Sequence, residues 1–359
     1  MKNYVALFLG VIILFLTSCD SKKREGEPRI LVFSKTMGFK HSSIPKGLEA
    51  VQKLGQENNI GVDTTKNADI FNDEDLKKYS AIVFLSTTGN ILDAKQEAAF
   101  ERYIQAGGGF VGIHAATDTE YDWNWYGRLV GAYFASHPAG TPEADFVIKD
   151  NTFSATNMFT DSIWHRTDEL YNFKKINPEV NVLMTVDEKT YEGGINGEHH
   201  PMSWYHEYDG GRAFYTALGH TDESFSEELY LKHLLGGIKY AIGKNEILDY
   251  TKVTTQIPPD TDRFTKVPLK YGEFFEPTEM AILPNNDILI SQRRGEIMLY
   301  KAATKELSQV GFLDVYNKTL SANANAEEGL MGLQKDPNFE TNHWIYLYYS
   351  PTGDKWVNR

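Results

Sequence analysis

Short apolar runs recur along the first two-thirds of the chain, each followed by a polar turn and then by apolar residues at helical spacing. Arg29 to Phe33 (RILVF) predicts a first strand. Ile44, Leu48, Val51 and Leu54 then follow a helical period, with Ser42 or Ser43 as the expected N-cap and Pro45 in the first turn. An acidic turn at Asn72 to Asp75 leads to a strand at Ala81 to Leu85, which ends in the polar run STTGN. Asp93 is expected to cap a helix over Ala94 to Ala106 that closes at Gly107. Phe110 to Ile113 reads as a short buried strand, stopping at His114 in a turn of small residues. Trp125 to Phe134 has two readings, a helix packing its aromatics inward or part of an aromatic and acidic sugar platform that begins at Asp118. Val180 to Val186 predicts a strand, and Asp209-Gly210-Gly211 predicts a hairpin turn before the strand Ala213 to Leu218. A helix over Ser226 to Ile242 closes the unit, with Leu231, Leu234, Leu235 and Ile238 on its expected buried face.

Strands alternating with helices predict an α/β domain over residues 29–245 with a doubly wound, mostly parallel sheet. Past Leu248 the pattern changes. Residues 246–271 form a connector containing Pro and Thr, and residues 272–359 carry short strands without a helical period. Strand, turn, strand is read over Thr278 to Ser291, with further strands at Gly295 to Tyr300 and Trp344 to Tyr349. This is an all-β segment of about one propeller blade, expected to be incomplete by itself and to belong to a longer protein or to be poorly ordered.

The N-terminus follows another pattern. Lys2 precedes an apolar run from Val5 to Leu16, the size of a signal-peptide core and short for a bilayer span. Leu16-Thr17-Ser18-Cys19 resembles a bacterial lipobox, and Cys19 is the one cysteine in the chain. The expectation is a signal peptide over 1–18, a lipid on Cys19 and a polar tether over 19–28. The protein would then be anchored in the bacterial cell envelope, on the periplasmic side or at the outer membrane. With no other cysteine, disulfides and thiol chemistry are excluded. A net charge of −13 argues against nucleic acid as a partner.

Nine of the ten histidines fall between positions 41 and 233, and His41, His114 and His220 each follow an expected strand. Ligands of open α/β sheets sit beyond the carboxyl ends of strands. Histidine placed there can move protons near neutral pH or hold a metal. Imidazole and carboxylate ligands would suit a divalent, zinc-type ion with a bound water, although no compact HExxH spacing is present. His41, His114, His137 and His220 are the metal-ligand candidates, and His114, Asp118, Asp168 and Glu169 the catalytic ones. Ser42, Thr88, Trp123, Tyr126, His200 and Trp204 are the substrate-binding candidates.

The stretches FKHSSI (39–44), STTGN (86–90), AGGGFVGIHAATDT (106–119), WNWYGRLVGAYFASHP (123–138), DELYNF (168–173), HPMSWY (200–205) and GGRAFYTALGHT (210–221) together resemble the trehalose-utilisation (ThuA-like) family over residues 29–243. That resemblance implies a fold similar to class I glutamine amidotransferases. Where those enzymes carry a Cys nucleophile, this chain has His114, so amidotransferase chemistry is excluded. It also implies a role in disaccharide catabolism, cleaving oxidised (3-keto) glycosides made by partner sugar dehydrogenases. A ketone at C3 acidifies the C2 proton, so a base can begin elimination of the anomeric group. A non-catalytic sugar-binding lipoprotein is the alternative. EPTEMAILPNNDILISQRRGEIMLY (276–300) and EEGLMGLQKDPNFETNHWIYLYYSP (327–351) resemble the start of a quinoprotein glucose/sorbosone dehydrogenase propeller. That resemblance implies pyrroloquinoline quinone only in a complete propeller, where oxidation and cleavage of a sugar could be coupled in one polypeptide.

Overall fold

The computed structural model describes residues 23–260, 263, 267–270, 272–317 and 327–352. The expected signal peptide and the lipidation site Cys19 lie outside the described residues. Two compact units divide between Pro259 and Asp260.

In the first unit the elements run β1 (Arg29–Phe33), α1 (Ile44–Glu57), β2 (Gly61–Thr65), α2 (Asp73–Leu76), β3 (Ala81–Leu85), α3 (Ala94–Gln105), β4 (Gly109–Ile113), α4 (Asn124–Val130) and β5 (Tyr133–Ser136). They continue with β6 (Glu143–Ile148), β7 (Ile163–Thr167), β8 (Asn172–Lys174), β9 (Asn181–Val186), β10 (Pro201–Tyr208), β11 (Gly211–Thr216) and α5 (Glu228–Ile242). Nine strands form one sheet in the order β2-β1-β3-β4-β11-β10-β9-β6-β7. From β2 to β11 every pairing is parallel. β3 and β4 are buried at every position, as strands covered on both faces must be, and their continuous apolar runs made them legible. The sheet then continues as an antiparallel extension through β10, β9, β6 and β7. The sequence pattern did not announce β6 and β7, nor the separate β5–β8 ribbon.

Because β1, β3, β4 and β11 are parallel, the loops that follow them emerge at one end of the sheet. Close packing of α5 fixes that arrangement. A Cβ on Gly237 would lie 2.2 Å from the Phe214 ring, and one on Gly109 would lie 2.1 Å from the Ala241 carbonyl oxygen. The helix backbone therefore rests on the Phe214 ring at Gly237 and on the β4 backbone at Gly109. Tyr230, His233, Leu234, Ile238 and Ala241 are buried there, whereas Leu231 and Leu235 are only partly buried. Counting leucines had placed the buried face about a quarter-turn away.

One further local expectation is corrected and two others gain detail. α4 stops at Val130 rather than reaching Phe134, because Gly131 turns left-handed (φ 95°) and the chain reverses into β5. At that glycine a Cβ would meet the Trp204 indole nitrogen at 2.2 Å. Ser43 occupies the N-cap position of α1, but its hydroxyl caps nothing and donates instead to the Gly219 carbonyl at 3.4 Å. The connector is not free over its first part. Asp249 N donates to the Ala106 carbonyl, Arg102 reaches the Thr255 carbonyl, and the Gln105 side-chain oxygen accepts from the amides of Thr254 and Thr255.

The second unit contains an antiparallel meander of β12 (Pro277–Ile282), β13 (Ile288–Gln292), β14 (Glu296–Lys301) and β15 (Glu306–Phe312). β16 (Leu330–Lys335) and β17 (Ile345–Tyr349) form a two-stranded sheet, with the four-residue helix α6 (Phe339–Asn342) between them. Ala281, Leu289, Ile297, Val315, Leu330 and Leu333 make its small core. Among the described residues no helix is long and apolar enough to cross a membrane.

Candidate functional site

His114 leaves β4 in a left-handed conformation (φ 49°), a strained geometry for a residue with a Cβ. The surroundings enforce it. The Tyr215 hydroxyl donates to the His114 carbonyl at 2.7 Å and also meets the Thr117 hydroxyl at 3.0 Å. His114 Nδ1 lies 2.8 Å from the Ala217 carbonyl, which can only accept, so Nδ1 carries the proton. In the neutral ring the lone pair is then on Nε2, aimed away from the sheet.

Three other donors converge on that atom. His41 Nε2 lies 3.1 Å from it, His220 Nδ1 3.1 Å, and Glu169 Oε2 3.3 Å. His220 Nδ1 and Glu169 Oε2 are themselves 3.0 Å apart, and all four atoms lie within 4.8 Å of one another. Three imidazole nitrogens and a carboxylate oxygen are thus brought to one point, each able to offer a lone pair. A metal about 2.1 Å from each of four tetrahedral ligands sets them about 3.4 Å apart, near the four separations of 3.0–3.3 Å found here. The donor set is three imidazoles and one carboxylate, without sulfur, which suits zinc and other borderline transition metals. His114 also has the backbone partner that metal-bound histidines use to fix their tautomer.

Electrostatics favour the ligating protonation states at two donors. Burial, reinforced by the neighbouring His114 and His220, pushes His41 down to about 3, so its ring is neutral. Burial alone would raise Glu169, but its hydrogen bonds with His114 and His220 outweigh this and hold its carboxyl well below the usual range. The hydrogen bond with Glu169 raises His220 above the ordinary imidazole value, against the opposing effect of burial.

Asp168 shapes the site from beneath. It is fully buried, accepts from the amides of Glu169, Gly219 and His220 at 2.9, 2.9 and 3.1 Å, and pairs with Arg166 at 3.2 Å. Arg166 is itself sandwiched by Trp164 and Tyr230 and pairs with Glu227 at 3.1 Å. Asp168 is therefore a positioning residue that places Glu169 and His220 on adjoining loops, and the expectation that it reacts directly is corrected. The expected ligand His137 stands outside the four-atom group. Its Nδ1 contacts Glu169 Oε1 at 3.2 Å and the Pro138 carbonyl at 2.7 Å, and its side chain is 40% exposed. Glu169, read from sequence as catalytic, supplies the fourth atom of the group instead. Asp118 is half-buried and accepts from the Tyr121 hydroxyl at 2.6 Å; burial raises its pKa while that hydrogen bond opposes the rise.

Most residues expected to hold substrate are engaged elsewhere. Trp204 and Tyr126 are fully buried, donating to the carbonyls of Val130 and Ala116, so their reading as a sugar platform is corrected. Trp123 bonds Glu101 and stacks on Trp125 and Tyr126 beside α3. His200 is buried between Glu188 and the Tyr171 carbonyl, and the buried Thr88 donates to the Phe39 carbonyl. Both are structural rather than open to a ligand. Ser42 is exposed on the loop next to His41. The sequence reading passed over Met37 and Phe39 as site residues, yet they are 64% and 66% exposed, and the Phe39 ring stands edge-on to His41 at 4.8 Å. Only their adjacency to His41 signalled them.

Residues 29–241 match the family model described as Trehalose utilisation (ThuA), and residues 274–358 match that of Glucose / Sorbosone dehydrogenase. A ThuA-like protein of Bacteroides uniformis is 20% identical, with 64% of this chain and 98% of that one covered at a TM-score of 0.54. One from Parabacteroides merdae is 18% identical, with the same coverage and a TM-score of 0.52. At these identities the likeness establishes the fold. A Thermus protein named as a glucose dehydrogenase-type oxidoreductase is 31% identical over 22% of this chain and 21% of its own, at a TM-score of 0.19. No match to a curated protein was found. The ThuA match spans more than half of the 359 residues and includes all four converging donors, and on that ground the chain belongs to the trehalose-utilisation (ThuA) family.

Proposed function

We propose that the first unit is a divalent-metal-dependent enzyme that cleaves oxidised (3-keto) glycosides or disaccharides. The observation that carries this reading is the convergence of His41 Nε2, His114 Nε2, His220 Nδ1 and Glu169 Oε2 at the carboxyl ends of parallel strands. A sugar-binding protein has no need of four such donors directed at one point. When bound there, a divalent cation supplies Lewis-acid stabilisation of negative charge on the substrate's C3 oxygen.

The chain's own residues supply the proton handling. His137 Nδ1 faces two acceptors, Glu169 Oε1 and the Pro138 carbonyl, so its proton sits there and Nε2 holds the lone pair. Nε2 takes the proton from C2 of the 3-keto sugar. The electron pair left at C2 forms the C1–C2 double bond as the C1–O bond breaks, and the departing alkoxide takes up the proton that His137 Nε2 removed from C2, returning the imidazole to its neutral form. Glu169 orients His137 through one oxygen and completes the four-donor group through the other. Asp168 keeps the two loops in register through its three backbone amides. Attachment to the cell envelope through Cys19, and supply of substrate by a sugar dehydrogenase, complete the proposal.

The test is metal content of the purified full chain, with turnover of a 3-keto disaccharide before and after chelation. We expect roughly one ion per chain and loss of turnover on chelation, restored by zinc or another divalent metal. A metal-free chain that binds disaccharide without turning it over would overturn the enzyme reading in favour of a sugar-binding protein.

A further inference from the structure

We infer that Met37 and Phe39 form a subsite for an aromatic aglycone, so that among the glycosides cleaved an aryl group is preferred beside the histidine cluster. The inference deepens the proposed cleavage of glycosides and rests on it for the identity of the bond broken, but the subsite itself is argued from geometry.

The loop after β1 is held, not loose. Thr36 bridges to Thr88, Met37 N donates to the Thr88 carbonyl at 2.8 Å, and Gly38 N donates to Thr88 Oγ1 at 3.2 Å. Thr88 Oγ1 in turn donates to the Phe39 carbonyl at 2.8 Å, and Lys35 Nζ bonds the Ile91 carbonyl at 2.7 Å. The backbone is also wedged against the neighbouring loop, since a Cβ on Gly89 would lie 3.2 Å from Met37 Cβ. On this pinned loop two large apolar side chains stand about two-thirds exposed. Isolated apolar residues on a surface call for no explanation. These two are neighbours, and Phe39 packs edge-on against His41, whose ring is 4.7 Å from His114 and 5.3 Å from His220.

Chemistry selects the occupant. A second sugar lying on these two residues would ask them for hydrogen-bond partners to its hydroxyls. Met37 and Phe39 have none in their side chains, and the amides of Met37 and Gly38 and the carbonyl of Phe39 are already engaged by Thr88. An aryl ring needs only apolar area, a thioether contact and an aromatic edge or face, which this pair presents. Once the glycone's reacting carbons sit at the histidine cluster, the group leaving C1 lies within reach of the adjoining rim.

Binding of phenyl and methyl glucosides of one anomeric configuration to the full chain, measured by titration calorimetry, tests this. We expect the phenyl glucoside to bind about tenfold more tightly, the size of one aromatic packing contact. Met37→Ala and Phe39→Ala should each shrink that preference, and the double variant should abolish it, with binding of the methyl glucoside unchanged. Both side chains are largely exposed, so the thermal midpoint should stay at the wild-type value and exclude misfolding. Equal affinities in the wild type, no binding of the phenyl glucoside, or a double variant with the full preference would overturn the subsite. Phenyl preference in a chain without turnover would retain the subsite and remove the enzyme reading. Turnover without phenyl preference would do the reverse.

Discussion

Replacing His114 removes a ring nitrogen whose lone pair is fixed by the Ala217 carbonyl, and with it the atom from which the other three donors are 3.1, 3.1 and 3.3 Å distant. His114→Ala should therefore drop bound metal from about one ion per chain to a trace and abolish turnover of the 3-keto disaccharide. The lost hydrogen bond and cavity should also lower stability by about 2 kcal/mol. Metal analysis, turnover and denaturant unfolding on one preparation separate these effects. Full turnover in that variant would show that the cluster is not the reacting centre. At this scale the sequence was legible in part. A histidine at the end of an apolar run marks a strand end, so His41, His114 and His220 stood out. Glu169 did not stand out as a ligand, because it arrives from the loop between β7 and β8 in the antiparallel extension, and no local period relates it to His114. Trp204 and Tyr126 were misread for a related reason. A motif of aromatics has the same composition whether it faces solvent or fills a core, and only burial distinguishes the two.

Elements of the parallel half were legible because β1, β3 and β4 are nearly uniform apolar runs with turn residues at both ends. β7 alternates exposed and buried residues in the sequence IWHRT, where the buried positions are Trp164 and Arg166, and no hydropathy pattern identifies a buried arginine paired with Asp168. The limit of α4 was hidden likewise, since Gly131 turns the chain for the sake of Trp204, 73 residues later. The contact between β4 and α5 gives a test at this level. At Gly109 any Cβ meets the Ala241 carbonyl at 2.1 Å, a backbone atom that no rotamer change can move. Gly109→Ala should force the helix away from the sheet and destabilise the chain by roughly 1–3 kcal/mol. The shift should be read as a lower thermal midpoint in calorimetry. An unchanged midpoint would mean that α5 adjusts without cost and does not set the position of β4.

Stability of the whole chain should depend on pH through buried groups outside the four converging donors, and two of them act in opposite directions. His233 is fully buried between the Ala155 carbonyl and the Ser203 hydroxyl, at 2.7 and 3.2 Å, and burial pushes it down to about 4. Its folded pKa lies below that of the unfolded chain, so the unfolded state binds the proton first. The stability associated with this residue is complete above about 6.5 and falls as pH drops towards 4, by about 3 kcal/mol in all. Glu97 is raised to about 7, chiefly by burial and then by the charges of Glu120, Glu101 and Asp93. Here the folded state holds the proton more tightly, so stability is greatest below about 4.5 and declines as pH rises to 7. Glu97 is half-buried, and solvent weakens its share. The two limbs together predict a maximum of stability between them, on the acidic side of neutrality. Chelated protein should be compared across pH 4 to 8 in its wild-type, His233→Gln and Glu97→Gln forms. His233→Gln should be less stable at pH 7 but flatter on the acid limb, and Glu97→Gln should gain stability over wild type progressively from about pH 4.5, with the full gain reached above about 7. Parallel curves for all three proteins would mean that acid and base sensitivity originate elsewhere in the chain.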